Sequence, residues 1–159
     1  VKELDEKAGT LPDQVGWRLW QASRAWQTEF VAAMRAAGHG WFSEARAGLL
    51  GHIPRNGTRQ SALIERAAIS KQAIQQLLDG LEAEGVLERL PDPRDGRGKL
   101  VRYTRKGLDA LQDGDRIKLE IERGYIARIG RERFAALMDA LRSLDAGLAD
   151  APEQAPESK

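Results

Sequence analysis

Lys71, Gln72, Gln75 and Gln76 share one side of a helical repeat, and the chemistry they offer is hydrogen-bond pairing. A glutamine amide presents a donor beside an acceptor, which complements adenine's edge in a major groove. A lysine ammonium suits phosphate or guanine. Ser70 stands just ahead of them; its hydroxyl can cap a helix start, where free N–H groups also receive phosphate. A second set lies in residues 91–99, where Arg94, Arg97 and Lys99 alternate with Asp92 and Asp95. An arginine in such a loop can enter a narrow minor groove, held up by a carboxylate. Arg55, Arg59 and Arg102 add charges that reach phosphates. Glutamines and basic residues also make ordinary solvated faces, so the surrounding elements must decide.

Over residues 13–37, Val15, Leu19, Ala22, Trp26, Phe30 and Met34 recur every three or four positions. That is one face of a helix, opened by Pro12-Asp13 and closed near Gly38. Ser43 is placed to cap a short helix to about Ile53, ended by Pro54 and the turn Asn56-Gly57. Thr58 is expected to cap the next helix, 59–67. Ser70 precedes an amphipathic one, whose Ile74, Leu77, Leu78 and Leu81 share a face and which stops at Gly85. Only Ala68, Ile69 and Ser70 separate these two helices, so they must cross steeply, as in a helix-turn-helix. Residues 86–90 and 100–104 read as strands, and 91–99 as the loop between them. A helical pattern returns through Leu108, Leu111, Ile117, Ile121, Tyr125 and Ile129, with Gly114, Gly124 and Gly130 arguing against one unbroken rod. A last helix covers 132–148. The fold class is mostly α: a winged helix-turn-helix with a two-stranded wing, flanked by amino- and carboxy-terminal helices.

A chain of 159 residues leads to the expectation of one unit, spanning 13–148 with its winged helix at 58–107. Residues 1–12 and 150–159 are expected to be flexible termini. The formal charge of +1 argues at first against a nucleic-acid partner. Yet residues 54–107 carry eleven basic and seven acidic residues, a net of +4, which leaves −3 for the rest. The positive charge is concentrated on the winged helix, most of it in or beside the loop, where it can release counterions from phosphates.

Other chemistries are poorly served. With no cysteine and only His39 and His52, thiolate sites are absent and a histidine-rich metal site is not expected. Gly96-Arg97-Gly98-Lys99 is a partial phosphate loop, but Pro93 replaces its first glycine and Leu100 its hydroxyl residue. No catalytic residues, metal or cofactor are expected, and the chain is read as no enzyme. No apolar run approaches a membrane span, and residues 1–12 lack a signal-peptide core. The expected location is cytoplasmic, without membrane contact.

From Thr58 to Gly107 the sequence resembles the MarR family of multiple-antibiotic-resistance-type regulators. The resemblance is carried by Ser70-Lys71-Gln72 through Ile74, by Leu78-Asp79-Gly80-Leu81-Glu82-Ala83-Glu84-Gly85-Val86-Leu87-Glu88-Arg89, by Asp92-Pro93-Arg94-Asp95-Gly96-Arg97, and by Tyr103-Thr104-Arg105-Lys106-Gly107. It implies a homodimer joined through helices at 13–37 and 108–148, a recognition helix starting at Ser70, and Arg97 as a wing-tip arginine supported by Asp95. Two subunits would read half-sites about 34–36 Å apart on double-stranded DNA. Two positions depart from the usual helix-turn-helix pattern: Ile64 stands where a small residue is usual, and Ala68 where glycine is.

Trp17, Trp20, Trp26, Phe30, Trp41 and Phe42 cluster early in the chain. Core and dimer contacts are the first reading, since aromatics dominate such surfaces. The second, drawn from the resemblance, is a pocket for a small aromatic or phenolic acid effector lined by Trp20, Arg24, His39, Trp41 and Arg46. His39, between two glycines, also reads as a plain loop residue. The lack of cysteine excludes the thiol-oxidation switch of the peroxide-sensing members. The expected function is a sequence-specific, ligand-responsive repressor that binds a pseudo-palindromic operator. The competing expectation is a winged helix that docks protein without sequence-specific DNA binding.

Overall fold

In the computed structural model residues 14–93 and 95–149 are described, with backbone alone at 96–97 and 146–149. The expected flexible ends and Arg94 lie outside the described residues. Helix α1 (Val15–Ala36) is followed by α2 (Glu44–Leu50), strand β1 (Thr58–Arg59), α3 (Gln60–Arg66) and α4 (Lys71–Ala83). Strands β2 (Leu87–Asp92) and β3 (Asp95–Tyr103) then lead to α5 (Arg105–Ile129) and α6 (Arg131–Ala149). The chain divides into two compact units between Ile117 and Lys118. The second unit is the end of α5 and α6, which turn at Gly130 (φ 86°). No helix among the described residues is long and apolar enough to cross a membrane.

Helix α4 starts and stops on local signals. Ser70 Oγ accepts from the Ala73 N–H at 3.2 Å, which satisfies one of the free donors of the first turn. At the other end Gly85 takes φ 68°, a left-handed conformation that favours glycine. There Gly85 N–H donates to Glu82 C=O, and Val86 N–H to Leu81 C=O, the paired bonds of a Schellman stop. Between these ends Ile74, Leu78 and Leu81 are buried, beside Leu63 of α3, Val86, Leu87 of β2 and Val101 of β3. This is the core of the winged helix, and it fixes which side of α4 faces outward.

The sheet is larger than expected. Its order is β1-β3-β2, so the two-stranded wing gains a third strand at its base. Thr58 does not cap α3: it pairs with Val101, and its Oγ1 accepts from Arg66 Nη2 at 2.5 Å. Pairing with a distant strand overrides the local capping preference. Much of the expected 91–99 loop is also strand, with Pro91 opposite Lys99 and Asp92 opposite Asp95 across an irregular register. Pro91 is tolerated because β2 is an edge strand, where a missing donor need not break a ladder.

Helix α5 is continuous through Gly114 and Gly124, contrary to expectation, and the break comes only at Gly130. A Cβ at Gly114 would meet Phe30 and Met34 of α1 at 3.6 and 3.8 Å, ordinary contact distances, so packing does not demand glycine there. A single glycine costs a helix about 1 kcal/mol, too little to end one of 25 residues. The departures at Ile64 and Ala68 cause no backbone conflict. No described residue other than glycine has positive φ, so the turn accepts alanine.

Candidate nucleic-acid interface

The outward side of α4 carries Lys71, Gln72 and Gln76, all exposed, with Gln75 half-buried among them. Gln72 and Gln76 make no side-chain hydrogen bond among the described residues. Gln75 is held at both ends. Its Oε1 accepts from Gln60 Nε2 at 3.1 Å, and its Nε2 donates to Asp79 Oδ1 at 2.8 Å. Arg89 of β2 donates to the same Asp79 oxygen at 2.7 Å and, through Nε, to Glu82 Oε2 at 3.0 Å. The Arg89 hydrogen bond holds the Glu82 carboxyl below its ordinary pKa, and Glu82 with Asp79 raises that of Arg89. None of Gln60, Asp79, Glu82 and Arg89 was among the expected site residues. The sequence carried one signal for them: Asp79 stands four residues after Gln75 on the same helix, a spacing at which Gln–Asp hydrogen bonds form.

On the wing side, Arg59 Nε meets Asp92 Oδ2 at 2.7 Å. The Asp92 side chain is only 3% exposed, so it ties the turn end of the hairpin to Arg59 of β1. Arg59, Lys71 and Lys99 line a cleft of about 370 Å³ with Gln60, Ile64 and Asp95. This cleft joins the start of α4 to the wing. Of the other expected phosphate contacts, Arg102 bonds Glu88 at 2.7 Å and Arg55 pairs with Asp115. These exposed pairs are worth little, so a phosphate can compete for either arginine. Asp95 lies at the start of β3, while the Arg97 side chain and Arg94 lie outside what is described.

A capped helix with a polar outer face, set beside a hairpin wing, is the geometry of a winged helix, and residues 42–98 match the MarR family model. Over that stretch the chain is similar to the MarR family. It is 28% identical over 88 residues to the transcriptional regulator HosA of Escherichia coli O111:H-, covering 55% of this chain and 65% of HosA. The chain thus spans less than two-thirds of that curated relative. A probable transcriptional regulator from Pseudomonas aeruginosa has the same fold, with TM-score 0.64, 26% identity, and coverage of 83% of this chain and 97% of that one. Wild-type MarR from E. coli in its apo form superposes with TM-score 0.68 at 18% identity, covering 85% and 98%. At that identity the likeness is one of fold. The MarR family is non-enzymatic.

The five candidate effector residues form two groups. Arg24 stands 5.3 Å over the Trp20 ring, which stacks on Trp17 at 4.8 Å; all three lie on α1. His39 and Trp41 meet edge to face at 6.0 Å, and Arg46 Nη1 donates to Trp41 C=O at 2.7 Å. No hydrogen bond or ring contact joins the two groups among the described residues. His39 Nε2 contacts Asp113 Oδ2 of α5 at 3.0 Å, a partner that periodicity did not point to. Trp41 Nε1 is buried without a partner among the described residues. Trp26, Phe30, Phe42 and Trp41 form a continuous run of ring contacts, with Phe30 and Phe42 in the core.

Proposed function

We propose that this chain is a sequence-specific DNA-binding regulator that acts as a homodimer on a pseudo-palindromic operator. The observation that carries this reading is the outward face of α4: Lys71, Gln72 and Gln76 project from a capped helix whose other side is core. Lys71, Lys99, Arg55, Arg59 and Arg102 supply phosphate contacts, and Ser70 the capped N-terminus. Arg94 and Arg97 serve the minor groove, with Asp95 as support. HosA, described as a transcriptional regulator, is consistent with this assignment. Val15, Leu19 and Trp20 are exposed on α1, as are Leu119, Leu137 and Leu144 on α5 and α6. These apolar side chains suit helices that pair with a second copy. The regulator is cytoplasmic and represses until an aromatic acid effector binds. The His39–Trp41–Arg46 group is the better of the two candidate seats, because it holds an unpaired buried indole N–H.

The test is binding of the full chain to a duplex carrying its own upstream intergenic region, followed by fluorescence anisotropy across a salt series. A steep fall in affinity with salt is expected from released counterions. Binding that is insensitive to salt, or absent, favours the protein-docking alternative. Titration with benzoate-like and phenolic acids, read by tryptophan fluorescence and operator release, tests the effector. No response across a broad panel removes it.

A further inference from the structure

Gln75 sits in the middle of the outward face of α4, yet its amide is already spent on two contacts within the protein. Asp79 decides how. An ionised carboxylate only accepts hydrogen bonds, so the Gln75 NH2 must face Asp79 Oδ1 at 2.8 Å. The Gln75 carbonyl is then turned toward Gln60, which must present its own NH2, at 3.1 Å. That leaves Gln60 Oε1 buried without a partner among the described residues. A buried acceptor left unpaired is costly, and the arrangement tolerates it only because reversing either amide would set like groups against each other. Asp79 is in turn fixed by Arg89 of β2 at 2.7 Å, and the Arg89 side chain is only 12% exposed. One carboxylate thereby orients two amides and ties α3, α4 and the wing strand together.

We propose that Gln75 is a positioning residue, committed by Asp79 to hold α4 against α3, and that Gln72 and Gln76 read the bases. This rests on the DNA-binding reading above. It predicts that Gln75→Ala leaves the preferred sequence unchanged and weakens every duplex by a similar factor, roughly three- to tenfold for the lost hydrogen bonds. Asp79→Asn should do the reverse. It lets both amides turn over, keeps the Arg89–Glu82 pair, and frees Gln75 to impose a new preference at one base pair. A purely structural role for Asp79 would move affinity or thermal stability without creating a preference.

The experiment selects from a random-sequence duplex library with the full wild-type chain, then with Gln75→Ala and Asp79→Asn. Affinities for single-base variants of the selected duplex follow. An unchanged consensus for Gln75→Ala, with an altered base pair for Asp79→Asn, supports the proposal. Loss of one base preference in Gln75→Ala overturns it. A wild-type chain that enriches no sequence overturns the DNA-binding reading instead, a separate result. Side-chain amide exchange by NMR on the free protein tests the clamp independently of DNA. Slower exchange for Gln75 than for Gln72 and Gln76 supports it, and equal rates overturn it.

Discussion

Arg46 of α2 crosses α4 at Gly80, its Nη2 standing 2.8 Å from where a Cβ on that residue would be. Nη2 is the far end of a flexible side chain, but moving it disturbs the other nitrogen, Nη1, of the same planar group. Nη1 donates to Trp41 C=O at 2.7 Å and lies 3.8 Å from Glu84. A glycine inside a helix costs about 1 kcal/mol relative to alanine, and here it admits the arginine. Gly80→Ala is therefore expected to gain little or nothing in the native chain. In an Arg46→Ala background the same change should gain about 1 kcal/mol. Urea denaturation of the four chains measures the coupling, and strict additivity would show that Arg46 does not press on α4.

The base-reading assignment makes its own prediction. Gln72→Ala or Gln76→Ala should each cost about 1–3 kcal/mol at the selected duplex and relax preference at one position. Arg97→Ala should weaken binding while the dimer stays intact by sedimentation. Unchanged affinity in all three variants would move the interface elsewhere.

The one hydroxyl hydrogen of buried Tyr103 in β3 is shared between Leu50 C=O at 3.0 Å and Ile53 C=O at 3.2 Å. Burial pushes its pKa up to about 12, from 10.0. Between those values the unfolded chain has released a proton that the folded chain keeps, so stability falls as pH rises. Tyr103→Phe is expected to lower stability at neutral pH by about 1 kcal/mol and to flatten this alkaline decline. Melting temperatures from pH 8 to 11 check both effects, and an equal decline in the variant would assign the slope to other groups.

His39 holds the Asp113 carboxyl below its ordinary pKa, with Arg116 assisting at 3.2 Å. A depressed carboxylate stabilises the folded chain above the unfolded pKa of 3.8, and that contribution is lost as pH falls through the lower folded value. His39→Ala should therefore shift acid unfolding to higher pH. Asp113→Asn should remove the difference between the two. An acid transition unmoved by His39→Ala would mean that Arg116 alone holds the carboxyl.

Much of this could be read from residue order, because the signals are local. Ser70, Gly85 and the Ile74, Leu78, Leu81 repeat define α4 within a few residues of chain, and Ser43 caps α2 by accepting from Arg46 N–H. The same locality explains the misreadings. Thr58 satisfies the rule for a cap, and residues 91–99 satisfy the rule for a loop. Both are overruled by strand partners that lie far along the chain or across a hairpin. Gly114 looked like a helix breaker, but the cost of one glycine, about 1 kcal/mol, does not interrupt a helix of 25 residues.

The composition of the α4 face was thus legible from the sequence: a helix period places Lys71, Gln72, Gln75 and Gln76 on one side whatever the rest of the chain does. What each of them is free to do was not legible. That depends on Asp79, one turn further along α4, and on Gln60 and Arg89, which reach this pair only after three elements pack. Hydrogen bonding is short-ranged and directional, so which of several identical amides remains available is decided by tertiary contacts within about 3 Å, and periodicity carries no record of them.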